Sequence, residues 1–168
     1  TMPEGSIVGT SSQRRLAQLK HLRRDVAVKE LRGNVDTRLR KLDEGRYDAL
    51  ILAAAGLRRL NLESRISAAI PVDEMLPAVG QGALAVETRR NDQFTIDLVS
   101  TLNHEATRLA CTSERAFLRA LGGGCQLPIA GYAVVSDNEL QLEGLVADPR
   151  GKEIVRDRVL GPTADAEE

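Results

Sequence analysis

The chain has 168 residues, 42% of them hydrophobic and 28% charged, the balance of an ordinary globular protein with one domain or two small ones. With no Trp, two Tyr and two Phe the core must be aliphatic, and a base-stacking platform for single-stranded nucleic acid is disfavoured; no apolar run approaches the roughly 18 residues a membrane helix needs. The net charge of −1 is uneven: residues 1–60 carry 13 Lys and Arg against 7 Asp and Glu, and residues 61–168 carry 10 against 17, so the basic first segment points to an anionic partner or to a solvated basic face.

Ser6-Ile7-Val8-Gly9-Thr10 reads as a short buried strand. Ser11 or Ser12 caps a helix predicted to run to about Arg24, with Leu16, Leu19 and Leu22 inward. A second strand is expected from Asp25 to Leu31, then a helix from Asn34 to Glu44 with Val35, Leu39 and Leu42 inward and Gly45 at its end. The run from Ala49 to Ala53 is apolar on both faces, as in a parallel strand covered by helices. This β-α-β-α-β order predicts a doubly wound α/β domain. Pro71, Pro77, Gly80 and Gly82 then punctuate the chain, and Ala83–Glu87 reads as a further apolar strand. Asp92 opens a helix to about Leu102, and Asn103 caps a long one to about Leu121 with a stripe of Ala106, Leu109, Ala110, Ser113, Phe117 and Leu121. After Gly122-Gly123-Gly124, three strands are expected at 129–135, 139–146 and 153–159, joined by turns at 136–138 and 148–151. The expected layout is an α/β unit over residues 1–82, a crossover segment over 83–102 and a small α+β unit with a three-stranded antiparallel sheet over 103–168.

The chemistry concentrates at strand ends. Thr10-Ser11-Ser12-Gln13-Arg14-Arg15 lies where a strand turns into a helix, so unpaired backbone N–H groups, the positive end of the helix dipole, hydroxyls and two guanidinium groups meet. Leu31-Arg32-Gly33-Asn34-Val35-Asp36-Thr37-Arg38 repeats the pattern, and Ala54-Ala55-Gly56-Leu57-Arg58-Arg59 follows the third strand. Open α/β sheets bind ligands at the carboxyl ends of their strands, and Arg holds carboxylate or phosphate in two places at once. The expected ligand therefore carries several such groups. Gly80-Gln81-Gly82 precedes a strand, so it is no dinucleotide fingerprint, and Gly122-Gly123-Gly124 lacks the Gly-Lys-Ser/Thr of a phosphate loop. Neither His21 nor His104 has partners at metal-ligand spacing, and no metal is expected. Cys111 and Cys125 make no disulfide framework, which favours a reducing, cytoplasmic home. Cys111 falls within a helix as packing or a partly exposed thiol. Cys125 follows three glycines, where a tight loop leaves a sulfur accessible as a nucleophile or attachment point, or simply as a loop cysteine.

Together these stretches resemble the porphobilinogen deaminase (hydroxymethylbilane synthase) family. The matching pieces are Val8 to Arg15, Leu31 to Val35, Thr37-Arg38-Leu39, Lys41-Leu42-Asp43, Tyr47-Asp48-Ala49, Ala55 to Leu60, Leu76 to Gly82, Asn103-His104, Glu114-Arg115-Ala116 and Gly123 to Ile129, in family order along nearly the whole chain. The resemblance implies a transferase of tetrapyrrole and heme biosynthesis. A dipyrromethane cofactor is joined by a thioether to Cys125, and four porphobilinogens condense head to tail with loss of ammonia to give linear hydroxymethylbilane. It implies Ser12, Arg14, Arg15, Arg32 and Gly33 around the cofactor, and Arg14, Arg32, Arg38, Arg59 and Gln81 toward the substrate's acetate and propionate groups. A monomeric enzyme without nucleic-acid or membrane partners is expected. Leu127 stands where the family usually has a β-branched residue, and Ala130 where Gly is common. The family's catalytic Asp lies in a His-Ser-x-Lys-Asp motif that these 168 residues do not contain, so no catalytic residue is assigned here. Thr1-Met2-Pro3 reads as an internal start without a signal peptide, and a piece inactive by itself is expected. The first unit also resembles periplasmic-binding-protein-like domains, which leaves a non-catalytic polyanion-binding module as the alternative.

Overall fold

The computed structural model describes residues 2–122 and 127–167. Three short strands, β1 (Ile7–Gly9), β2 (Ala27–Lys29) and β3 (Ala49–Leu50), form a parallel sheet in the order β2-β1-β3. Helix α1 (Gln13–Leu22) connects β1 to β2, α2 (Val35–Asp43) connects β2 to β3, and α3 (Ala54–Arg59) follows. Ser12, one of the two serines expected there, caps α1, and Asn34, expected as the first residue of its helix, caps α2; each side-chain oxygen accepts a backbone N–H three residues on. Tyr47 and Leu50 close over Gly9: a Cβ there would lie 2.6 Å from Leu50 Cδ2, so a larger residue would push these side chains aside. Val8, Leu19 and Val26 form the small aliphatic core, with Met75 packed against it.

Two expectations change in this layer. The third strand is only two residues long and half-buried instead of a fully covered five-residue run. The inner face of α1 is Arg14, Ala17, Gln18 and Leu19, while Leu16 is half-buried and Leu22 exposed. That helix packs on backbone as well as on apolar side chains, so its buried face carries hydrogen-bonding groups that a purely hydrophobic stripe omits.

The backbone it packs on is the irregular segment 71–82. Leu76 in its middle is 0% exposed and joins Ala130 and Leu145 in a second core cluster. Beyond it, Ala83–Glu87 forms no strand. Leu84 is 85% exposed, and an apolar run becomes a strand only where a neighbour supplies the ladder. Helix α4 (Gln93–Ser100), capped by Asp92, leaves Phe94 and Leu98 exposed.

Helix α5 (Glu105–Ala120) begins one residue later than expected, at a His104 cap whose Nδ1 accepts from the Thr107 N–H, while Asn103 donates to Glu105 instead. Leu121 lies beyond the helix and is exposed. Three long strands follow, β4 (Ile129–Ser136), β5 (Glu139–Ala147) and β6 (Ile154–Pro162), in an antiparallel meander with β5 central. Gly131 and Gly144 pair across β4 and β5 and open a slot for the Phe117 ring; a Cβ on Gly144 would sit 2.6 Å from Phe117 Cζ. Leu76 packs on the other face of the sheet with Ala130 and Leu145, and the Pro77 carbonyl accepts from the Gly131 N–H at the β4 edge at 3.2 Å, so segment 71–82 is clasped between α1 and the antiparallel sheet. The architecture is mixed α/β, one parallel and one antiparallel sheet.

Candidate anion-binding site

Parallel pairing sends the carboxyl ends of β1, β2 and β3 to one edge. There Thr10 Oγ1 accepts from the Ser12 N–H at 3.2 Å, and Ser12 Oγ accepts from the Arg15 N–H at 3.4 Å. The Ser11 hydroxyl donates to the Leu31 carbonyl and accepts from the Leu31 N–H, sewing the end of β1 to that of β2. Arg15 crosses the edge, donating to the Ile51 carbonyl just past β3 at 3.0 Å. Arg38 folds back from α2 to donate to the Gly33 carbonyl at 2.8 Å. Gly33 needs its missing side chain: its φ is +121°, and a Cβ would lie 2.8 Å from Thr37 Cγ2.

Arg15 and Arg38 stand close enough to feel one another. Burial pushes the Arg15 guanidinium below its ordinary value, and the charge of Arg38 pushes it further. Neither has a carboxylate partner among the described residues. Two cations held together by backbone acceptors, with no anion between them, are arranged for an anion from outside. A small cavity of about 120 Å³ lies beside the same helix start, with Thr10, Ser11 and Gln13 in its wall.

Arg14 points the other way. It is 6% exposed, and burial first, then Arg15, lowers it to about 10. Its guanidinium donates to the Leu76 carbonyl at 2.6 Å and to Gln81 Oε1 at 3.0 Å. The fold therefore brings Ser12, Arg14, Arg15, Gly33, Arg38 and Gln81 to one neighbourhood. Arg32 has its backbone at the edge, but its exposed guanidinium is tied to Glu30 at 2.7 Å. Arg59 closes α3, more than one helical turn beyond the strand end, and is exposed. Cys125 lies outside the described residues. Cys111 is half-buried within α5, where burial and then Glu114 raise its thiol. Sequence reading missed Gln18 and the Leu76 carbonyl. A glutamine four residues after an inward arginine is the signal that could have found the first.

The fold and this edge define a mixed α/β protein that gathers the guanidinium groups of Arg15 and Arg38 at the carboxyl ends of its parallel strands. Two family models of porphobilinogen deaminase match the chain, its dipyrromethane cofactor binding domain over residues 1–97 and its C-terminal domain over 108–168. The chain belongs to the porphobilinogen deaminase family. It is 53% identical over 167 residues to the porphobilinogen deaminase of Synechococcus elongatus, covering 99% of this chain and 52% of that protein. It is 54% identical over its full 168 residues to those of Prochlorococcus marinus strains NATL1A and NATL2A, covering 53% of each. The chain thus spans about half the length of the curated relatives it matches.

Proposed function

We propose that the chain supplies the anion grip and the cofactor attachment point of a hydroxymethylbilane synthase, which condenses four porphobilinogens into linear hydroxymethylbilane with release of ammonia. The observation that carries this reading is the Arg15–Arg38 pair, uncompensated at the edge of a sheet in a chain of this family. Each pyrrole of such a substrate bears two carboxylates, and planar guanidinium forks match carboxylates in charge and shape. A dipyrromethane on Cys125 would supply the free α-carbon on which the pyrrole chain is extended. The protein's own groups bind and orient. Arg15 and Arg38 take carboxylates at the strand ends, the Ser12 hydroxyl and Gly33 shape the turn around them, and Arg14 with Gln81 closes one side. Arg32 and Arg59 serve as outer contacts, Arg32 only after releasing Glu30. Their joint effect is positioning and charge balance for a cationic pyrrole intermediate. The carboxylate that steadies that cation is expected from outside these 168 residues, so the isolated chain should turn over little porphobilinogen.

The same reading assigns residues 1–82 to a periplasmic-binding-protein-like unit, 83–102 to a crossover whose exposed Leu84, Phe94 and Leu98 pack on a further part of the protein, and 103–168 to the thiol-bearing unit. A monomeric cytoplasmic enzyme fits this reading; among the described residues no helix is long and apolar enough to cross a membrane. Intact mass and Ehrlich's reagent, applied to the whole protein and to its Cys125→Ala variant, test it. A pyrrole adduct present in the parent and lost in the variant supports the enzyme. A bare Cys125 in the parent overturns it in favour of a non-catalytic polyanion-binding module.

A further inference from the structure

Arg14 and Gln18 are one helical turn apart on the inner face of α1, and both reach the same peptide unit. The Leu76 N–H donates to Gln18 Oε1 at 2.8 Å, and Gln18 Nε2 donates back to the Leu76 carbonyl at 3.1 Å. The amide side chain thus pairs with the backbone as a neighbouring strand would. The same carbonyl accepts from Arg14 at 2.6 Å, filling its second lone pair. All three groups are out of water: Gln18 is 2% exposed, Leu76 0% and Arg14 6%. An apolar residue of glutamine's volume would fill the space but leave the Leu76 N–H unpaired and the carbonyl free to turn.

We infer that Gln18 is a positioning residue for the anion site: it holds the Leu76 carbonyl where that carbonyl aims the Arg14 guanidinium toward Gln81. The inference rests on the proposed function for the identity of the ligand, while the aim of Arg14 is a property of the fold. The aim matters because Arg14 sits next to Arg15 in α1, and a guanidinium cut off from water keeps its direction only through its acceptors. Two of its five N–H groups are committed in this way, one to the Leu76 carbonyl and one to Gln81 Oε1.

The test uses the whole protein. Gln18→Met keeps the volume and removes both hydrogen-bonding ends. Gln18→Glu retains an acceptor for the Leu76 N–H and sets a carboxylate one turn from Arg14, opposing its charge. Leu39→Ala, on α2 and apart from Leu76, is the purely structural control. In the parent, the Arg14 Nε–H resonance, identified by its loss in Arg14→Lys, should exchange slowly with water. In Gln18→Met it should broaden or vanish. The KM for porphobilinogen should rise about tenfold in both Gln18 variants with kcat within about threefold, the size of one lost charge-assisted hydrogen bond. Leu39→Ala should lower the thermal midpoint and move neither readout. An unshifted, protected Arg14 signal together with a KM within twofold of the parent in Gln18→Met overturns the inference. If Gln18→Met does not fold, the Gln18→Glu variant carries the same two readouts. If the parent shows a bare Cys125 and no turnover, it is the functional reading that fails, and the Arg14 resonance alone then decides the role of Gln18.

Discussion

β1, β2 and β3 pair over two or three residues each, whereas β4, β5 and β6 pair over eight or nine. The long ladder satisfies most of its own backbone, with Phe117 seated in the Gly131–Gly144 slot and Leu76 packed against Ala130 and Leu145. The short one is completed by side chains: Ser11 on Leu31, Arg15 on Ile51, Asp48 on the Ile7 N–H, Tyr47 on the Glu30 carbonyl. A sheet that ends early leaves backbone groups and helix starts at its edge, and there cationic side chains can be both structural and available to a ligand. The antiparallel sheet spends most of its backbone on its own ladders, and its β4 edge is met by the Pro77 carbonyl, which accepts from the Gly131 N–H at 3.2 Å. Glu114 links the two, accepting from the Gly80 N–H at 2.6 Å and the Ala133 N–H at 2.9 Å.

The clasp between these regions is the place to break the comparison most severely. Leu76→Ala removes a fully buried side chain from the cluster with Ala130 and Leu145 and should cost about 3 to 4 kcal/mol. Because that side chain packs on the antiparallel sheet while its backbone bonds α1, the parallel layer should loosen with it. Urea unfolding followed separately by amide exchange in α1 and in β5 would show this. Unchanged protection in α1 would mean that the two layers are independent. Gly151→Ala should follow at about 2 to 3 kcal/mol: its φ is +67°, and the new Cβ would fall 2.2 Å from the Ala17 carbonyl oxygen, a backbone atom that cannot rotate away. A thermal midpoint within a degree or two of the parent would show that the β5–β6 turn does not bear on α1.

The two regions were also legible in the sequence to different degrees. In the antiparallel half, apolar alternation and turn residues fix strands by a period of two, and all three emerged within a few residues of their observed ends. In the parallel half the helix starts at Ser11 or Ser12 and at Asn34 were readable to within a residue because capping is a local hydrogen bond. The inner face of α1 was not readable, because what makes Arg14 and Gln18 buried is the carbonyl of Leu76, some 60 residues away in sequence. The edge-gathering of arginines followed from strand order alone, whereas the Glu30 tie on Arg32 and the outward place of Arg59 depend on rotamers and helix length. Ala83–Glu87 failed as a strand for the same reason in reverse: its composition suits a sheet, but no described strand lies beside it.

A functional contrast sharpens the picture at smaller scale. Arg15→Ala removes a half-buried cation without a carboxylate partner among the described residues and should weaken ligand binding by about 2 kcal/mol, a KM for porphobilinogen near thirtyfold higher in the whole protein. Arg32→Ala removes a cation already neutralised by Glu30 and should change KM by no more than about threefold. Equal losses in the two variants would mean that the Glu30 pair opens freely and that the edge acts as a diffuse field instead of a built site.

The smallest expected effect lies in the antiparallel sheet and the helix packed on it, where two carboxyls, Glu143 on β5 and Glu114 on α5, respond to acid in opposite senses. Glu143 on β5 meets Arg156 at 2.7 Å and Arg158 at 3.2 Å. Burial raises its carboxyl, but the hydrogen bonds and charges of the two arginines outweigh this and hold it below the ordinary value of 4.5. A carboxyl depressed in the folded state adds stability at pH values above its unfolded value and surrenders it as the pH falls through the folded one. Glu114 runs the other way: burial dominates over the Gly80 and Ala133 N–H groups and raises it, so its ionisation costs stability as the pH climbs past the ordinary carboxylate range. Glu143→Gln should therefore destabilise by about 1 kcal/mol or less at pH 7, with the deficit closing as the pH is lowered toward 3. Urea midpoints of parent and variant at pH 7, 5 and 3 measure it. A deficit that widens on acidification would place the acid-sensitive contact elsewhere, and one that stays constant would mean that Arg156 is held by the Asp73 carbonyl alone, making the clasp, and not the cross-strand pair, the contact that orders β6.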